Sequence, residues 1–191
     1  MASPLEEPHE TPPPPVPRGA SPEELIARLP KIWVGYLLAL ATLIGETVAV
    51  ARNPELVKGI EFAVPPLEIY LPAFVGVVYW LVCIHRYHVV LANVPGWKHP
   101  ISPGKAVWFH FIPIYFAYWV FRWPAAIADF VNYRFQARVM NKWTVGVCFF
   151  ASLLSRMLLD AAVGVALLFF GCTYLSGFLT RALAVTPERE A

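Results

Sequence analysis

Charge is the scarcest feature of this chain: only 15% of its 191 residues are Asp, Glu, Lys or Arg, while 58% are hydrophobic. Soluble domains carry about a quarter charged residues and about half apolar ones. The shortfall therefore argues against water as the main solvent. Cysteine is also sparse and offers no chemistry. Cys83, Cys148 and Cys172 are odd in number, lack a CxxC spacing and sit inside apolar runs. They are expected to be small buried hydrophobes, not disulfides or metal ligands. A glycine-rich phosphate loop, a GxSxG elbow and an HExxH pair are all missing, which leaves no visible catalytic machinery. The acidic, proline-rich start does not match the basic opening of a secretory signal peptide.

What is present is apolar length. Ile32 to Ala51 gives twenty residues, about 30 Å as a helix, which matches the hydrocarbon thickness of a bilayer. A second run extends from Leu67 to Ala92, with Pro72 near its first turns, where proline is tolerated. A third, Trp143 to Ala184, covers 42 residues and is too long for one crossing. Arg156 and Asp160 interrupt it, and Asp160 can cap a new helix, so two helices over 143–158 and 160–181 are expected. Gly35 with Ala39, and Gly164, Gly171 and Gly177, offer small faces for close helix packing.

The stretch that decides the topology is Lys105 to Trp123. From Trp108 onward it packs nine aromatics into sixteen residues, with Pro113 at its centre. Pro113 removes an interior hydrogen bond, so a single straight helix is a poor fit. Trp108, Trp119 and Trp123 are the kind of ring that settles at headgroup level. After it, residues 124–141 carry Ala126, Phe130, Tyr133, Ala137 and Met140 at helical spacing. That predicts an amphipathic helix lying in the interface, with Arg134 and Arg138 toward headgroups and Arg122 just before it.

Charge placement orients the chain. Between residues 85 and 142 lie seven Lys or Arg residues against Asp129 alone, and four of the five histidines. In a soluble protein such a block can mean nucleic acid. Separating apolar spans, it indicates a cytoplasmic face against anionic lipid, with no nucleic-acid partner. If residues 105–123 dip in and return, the whole basic block shares one side and both termini are cytoplasmic. The expected architecture is therefore an all-α integral membrane protein. It has four transmembrane helices, a proline-broken aromatic re-entrant or interfacial segment over 105–123 and an amphipathic helix over 124–141. Five transmembrane helices is the alternative. The membrane domain spans 31–184, between a polar tail at 185–191 and a proline-rich segment at 1–30. That segment holds nine of nineteen prolines and a short capped helix near 22–29.

The run FHFIPIYFAYWVFRWPAAIADFVNYR resembles a group of small, uncharacterised multipass bacterial inner-membrane proteins. Phe111, Ile112, Pro113, Tyr118, Trp119 and Asn132 match the shared pattern. Where that group has Asn between the proline and Tyr-Trp, this chain has Phe116-Ala117. The resemblance implies a bacterial inner membrane and supplies no activity.

Three functions compete. The first is a non-enzymatic packing or accessory component of a membrane assembly, partnered by other membrane proteins or by copies of itself. The second is a small oligomeric carrier or ion pathway built on Glu46, with Arg156 or Asp160, since ionisable groups at membrane depth usually face a partner or a polar path. The third is a cofactor-binding subunit of a redox or light-driven complex. There His85 and His88, three residues apart, and His110 would offer imidazoles to haem or chlorophyll. The first reading needs no cofactor and no metal.

Overall fold

The computed structural model describes residues 20–54, 67–158 and 161–185. The proline-rich stretch before residue 20, most of the loop after Asn53, Asp160 and the polar tail from residue 186 lie outside the described residues. Among those described, all regular structure is helical: α1 Pro22–Arg28, α2 Ile32–Arg52, α3 Leu67–Ala92, α4 Pro103–Trp108, a 3-10 turn Phe109–Phe111, α5 Tyr115–Phe135, α6 Lys142–Leu158 and α7 Ala161–Ala184. Three helical stretches are long and apolar enough to cross a membrane, ending at Arg52, Ala92 and Ala184. The apolar part of α6, Lys142–Ser155, is shorter. The 42-residue run thus holds two helices folded against each other, with Gly171 on α7 close to Phe149 on α6; residues 159 and 160 lie outside the described residues.

Local chemistry sets the boundaries. Ser21 and Glu24 form a reciprocal capping box, with Pro22 at the first turn of α1. Leu25 and Leu29 then dock this short helix into the core. Ser102 caps α4 through Lys105 N–H, again with proline at the first turn. Gln136 ends α5 in a left-handed conformation. Asn132 closes the following turn by a two-way bond, donating to Met140 O and accepting from Met140 N–H, both at 2.8 Å.

The helix pairs give the arrangement. Gly35 on α2 lies against Phe169 and Thr173, while Leu38 and Ala39 pack near Val165, so α2 and α7 run antiparallel. Gly76 on α3 meets Val165 and Phe169, and Tyr87 further along bonds to Cys172 O at 2.6 Å and contacts Ser176 at 2.9 Å. Helices α3 and α7 are therefore parallel. A side chain at Gly35 would stand 2.8 Å from Thr173 Oγ1, and one at Gly146 would stand 2.6 Å from the Phe121 ring. Gly35, Gly76, Gly146 and Gly171 are spent inside the bundle, where they let helices approach, whereas a side chain at Gly177, also expected on a packing face, would meet nothing within 4 Å.

The bundle is apolar outside as well as in its core, and its few buried hydroxyls are bonded within it. Trp33, Tyr36, Leu37, Leu40 and Ile44 on α2, Phe74 and Val78 on α3, and Leu167 and Phe170 on α7 are exposed. Thr42, Ser152, Thr173 and Ser176 are buried, and Thr42, Ser152 and Thr173 donate to carbonyls four residues back. That apolar exterior suits lipid as the surrounding solvent, where hydroxyls must find partners within the protein.

The aromatic segment is not one helix. Helix α4 packs along α3, where Gly104, Val107 and Trp108 share a recess with Val78, Val82, His85 and Arg86. His110 reaches Trp80, halfway along α3, at a ring distance of 4.8 Å. The chain then reverses at residues 112–114 and α5 climbs back. Trp119 donates to Ala106 O at 3.0 Å, Trp123 meets His88, and Phe130 meets Trp97. In one straight helix Ala106 and Trp119 would stand about 20 Å apart along the axis. The reversal is a γ-turn: Tyr115 N–H bonds Pro113 O at 2.7 Å around Ile114, at φ 66° and ψ −49°. For a β-branched residue this backbone is strained, and Ile114 is also 93% exposed.

Two expectations for this region change. Pro124 does not begin a helix; α5 runs from Tyr115 through it to Phe135. One missing N–H costs a single intrahelical bond, and tight packing on both sides holds the helix together. Nor does the second half of α5 lie half-immersed on a surface. Trp123, Pro124, Ala126, Ile127, Ala128, Phe130 and Val131 are buried, whereas Tyr133 and Ala137 are exposed. This helix is a central element of the core, packed between α6, α7 and the loop after α3.

Candidate functional site

The residues singled out from sequence are dispersed. Glu46 is half-buried on α2 and engaged in an interaction of its own. The side chain of Arg156 and all of Asp160 lie outside what is described, so their expected pairing with each other or with Glu46 carries no geometry. Of the three tryptophans expected at headgroup level only Trp108 is exposed; Trp119 and Trp123 are buried. Trp119 is held by Ala106 O and by the edge of Phe109, and Trp123 by Phe149 at 5.1 Å.

The arginines divide as well. Arg134 turns to α7, donating from Nε to Ala182 O at 3.1 Å and from Nη2 to Val185 O at 2.7 Å. It caps the carbonyl end of that helix, where a cation is favoured. Arg138 is exposed. Arg122 lines a recess of about 260 Å³ between α5 and α6, together with Tyr118, Asp129, Lys142 and Trp143. Cys83 and Cys172 are buried as expected, but Cys148 is exposed on α6.

The histidines do assemble, though not as the three expected. His85 is exposed. His88 is fully buried and its Nδ1 lies 2.6 Å from Nε2 of His99, a loop residue outside the expected trio. The Trp97 indole donates to His99 Nδ1 at 3.4 Å. On the far side of His88 stands Trp123 at 6.2 Å between ring centres. His110 lies 6.2 Å beyond Trp123, and Trp80 4.8 Å beyond His110. Six nitrogen heterocycles thus form one continuous run from the loop after α3 to the middle of that helix.

The hydrogen bonds fix the protons. A neutral imidazole has one N–H and one lone pair. His99 accepts from Trp97 at Nδ1, so its proton is on Nε2 and is donated to His88 Nδ1. His88 then carries its own proton on Nε2. His110 donates from Nδ1 to Val107 O at 3.3 Å, which leaves a lone pair on its Nε2. Burial supports the neutral form in the loop, where it holds His99 down to about 4.

The inner ends of this run have no protein partner: Trp80 Nε1, His88 Nε2, His110 Nε2 and Trp123 Nε1 are all buried and unbonded. Leaving such a group unsatisfied costs about 1–3 kcal/mol, and four in one place is unusual for a packed core. No group of three or more His, Cys, Asp or Glu side chains arranged to hold a metal ion occurs among the described residues. The sequence signal for the cluster was weak but present: four histidines within 85–110, interleaved with Trp97.

Fold and site together define a small, all-helical bundle with an apolar exterior and a heterocycle-lined interior. Comparison with protein-family models, curated proteins and solved structures returns no match for this chain.

Proposed function

We propose that the protein is a four-span integral membrane protein that acts by contact with other membrane components and catalyses no reaction. In this reading α2, α3, α6 and α7 cross, and residues 103–135 enter from the basic side as an aromatic hairpin and leave by the same side. Both termini and the cations of residues 85–142 then share the cytoplasmic face, in agreement with the positive-inside rule. The bacterial inner membrane is the location that the sequence resemblance implies. The recess containing Arg122, Lys142, Trp143 and Tyr118 suits an anionic lipid headgroup.

The observation that carries the functional reading is the hairpin tip. Phe111, Ile112 and Ile114 are exposed, and the backbone that presents Ile114 is strained. Strained backbone concentrates at places where contact with something else matters. Gly35, Gly76, Gly146 and Gly171 are already used within the bundle, and the exposed tip offers a surface to a partner, whether a second copy or another membrane protein. A photoreactive residue at Ile114, with Leu40 on the lipid-facing side of α2 as control, tests this in native membranes. A protein adduct of defined mass from position 114 and lipid adducts from position 40 are expected. Lipid adducts alone from both positions would defeat the reading.

A further inference from the structure

We infer that Trp80, His88, His110 and Trp123 line a buried site for an uncharged hydroxyl group. The ligand is either water or the hydroxyl head of a small membrane-soluble molecule. The chemistry follows from the proton positions. Three of the unpartnered nitrogens, Trp80 Nε1, His88 Nε2 and Trp123 Nε1, are donors, and His110 Nε2 is an acceptor. A hydroxyl oxygen accepts two such bonds and donates one, so two hydroxyl groups, one donating to the other, satisfy all four atoms. An anion would leave the His110 lone pair facing negative charge. A cation would meet three N–H groups. A neutral oxygen bearing hydrogen fits both.

The walls are built for such a role. His88 is fully buried and backed by His99 and Trp97, which fixes its Nε2–H toward the interior. His110 is fixed in the opposite sense by Val107 O. Phe149 closes the site against both indoles, at 6.5 Å from Trp80 and 5.1 Å from Trp123. The hairpin reversal delivers His110 and Trp123 to α3, so the site exists only because residues 103–135 fold back. It does not depend on which component, if any, meets the tip.

The test is nitrogen NMR on the full-length, 15N-labelled protein in lipid nanodiscs, first alone and then titrated with phenol as a hydroxyl probe. The expected tautomers are a proton on Nε2 of His88 and on Nδ1 of His110. The N–H protons of His88, Trp80 and Trp123 should show cross-peaks to the occupant. Peaks to water identify water. Peaks to non-exchanging protons, with a hydroxyl-bearing compound recovered by solvent extraction, identify an organic head. Phenol should shift the same three N–H signals. In His110→Phe, which removes the acceptor, phenol affinity should fall by about tenfold. His110→Gln keeps an acceptor and should hold most of that affinity even if the phenylalanine variant fails to fold. Reversed tautomers overturn the inference, as do N–H protons with no cross-peak to any occupant and no response to phenol.

Discussion

Two halves of this molecule are held together by different means. Where α2, α3 and α7 meet, contacts are made mainly by glycine, by aliphatic side chains and by hydroxyls bonded within their own helix, with Tyr87 crossing from α3 to Cys172 O and Ser176. Where α4, α5 and the loop after α3 meet, they are made by indoles and imidazoles that bond across elements. The first kind of contact is close and non-directional. The second requires each nitrogen to find a partner, and four do not find one in the protein. The difference locates where function can reside: Thr42, Thr173 and Tyr87 all have partners, whereas the part of α3 that carries Trp80 and His88, with the hairpin against it, has bonding capacity to spare.

Substitutions can break that contrast. The largest effect is expected from Trp123→Ala, which removes a fully buried ring from the centre of the hairpin side. A loss of about 3–5 kcal/mol is expected, measured by denaturant titration in detergent. Gly146→Leu, which drives a side chain into Phe121, should destabilise the α5–α6 contact by about 1–3 kcal/mol in the same assay. Leu40→Ala on the lipid-facing side should stay within about 0.5 kcal/mol of the parent. Asn132→Ala removes both bonds to Met140 and should cost about 1–3 kcal/mol.

The sign reverses at the hairpin tip. Ile114→Gly relieves a positive φ and should stabilise the fold by about 1 kcal/mol, while reducing any crosslinking through that position. A pH response is expected at His99. Burial holds this imidazole at about 4 in the folded chain against 6.5 in the unfolded one. Between those values the unfolded state binds more protons, so stability falls as pH drops through that window and is unaffected above it. Replacing His99 with Gln should flatten that slope in unfolding curves taken across the window.

Much of the fold was legible because it depends on local chemistry. The Ser21-Pro22-Glu23-Glu24 order gave α1, apolar length bounded by Lys31 and Arg52 gave α2, and Leu67 to Ala92 gave α3 as observed. Pro113 marked the break in the aromatic segment. Pro124 misled, because an interior proline ends a helix only where packing does not support it, and here both sides are buried. Arg134 looked like a headgroup ligand. Its true partners are carbonyls of Ala182 and Val185, which no local spacing reveals. His99 was missed for the same reason: its bond to His88 spans a loop, and the run it completes comes from three separate elements.

The account stands on the hairpin entering and leaving by one side of the membrane. The direct measurement uses single cysteines at Lys98 and at Arg138, in a background where Cys83, Cys148 and Cys172 are replaced. They are probed with an impermeant maleimide in sealed right-side-out and inside-out vesicles. Both positions should label in the inside-out vesicles and neither in the right-side-out ones. Labelling of Lys98 and Arg138 from opposite faces would mean that the aromatic segment crosses, and would contradict the account.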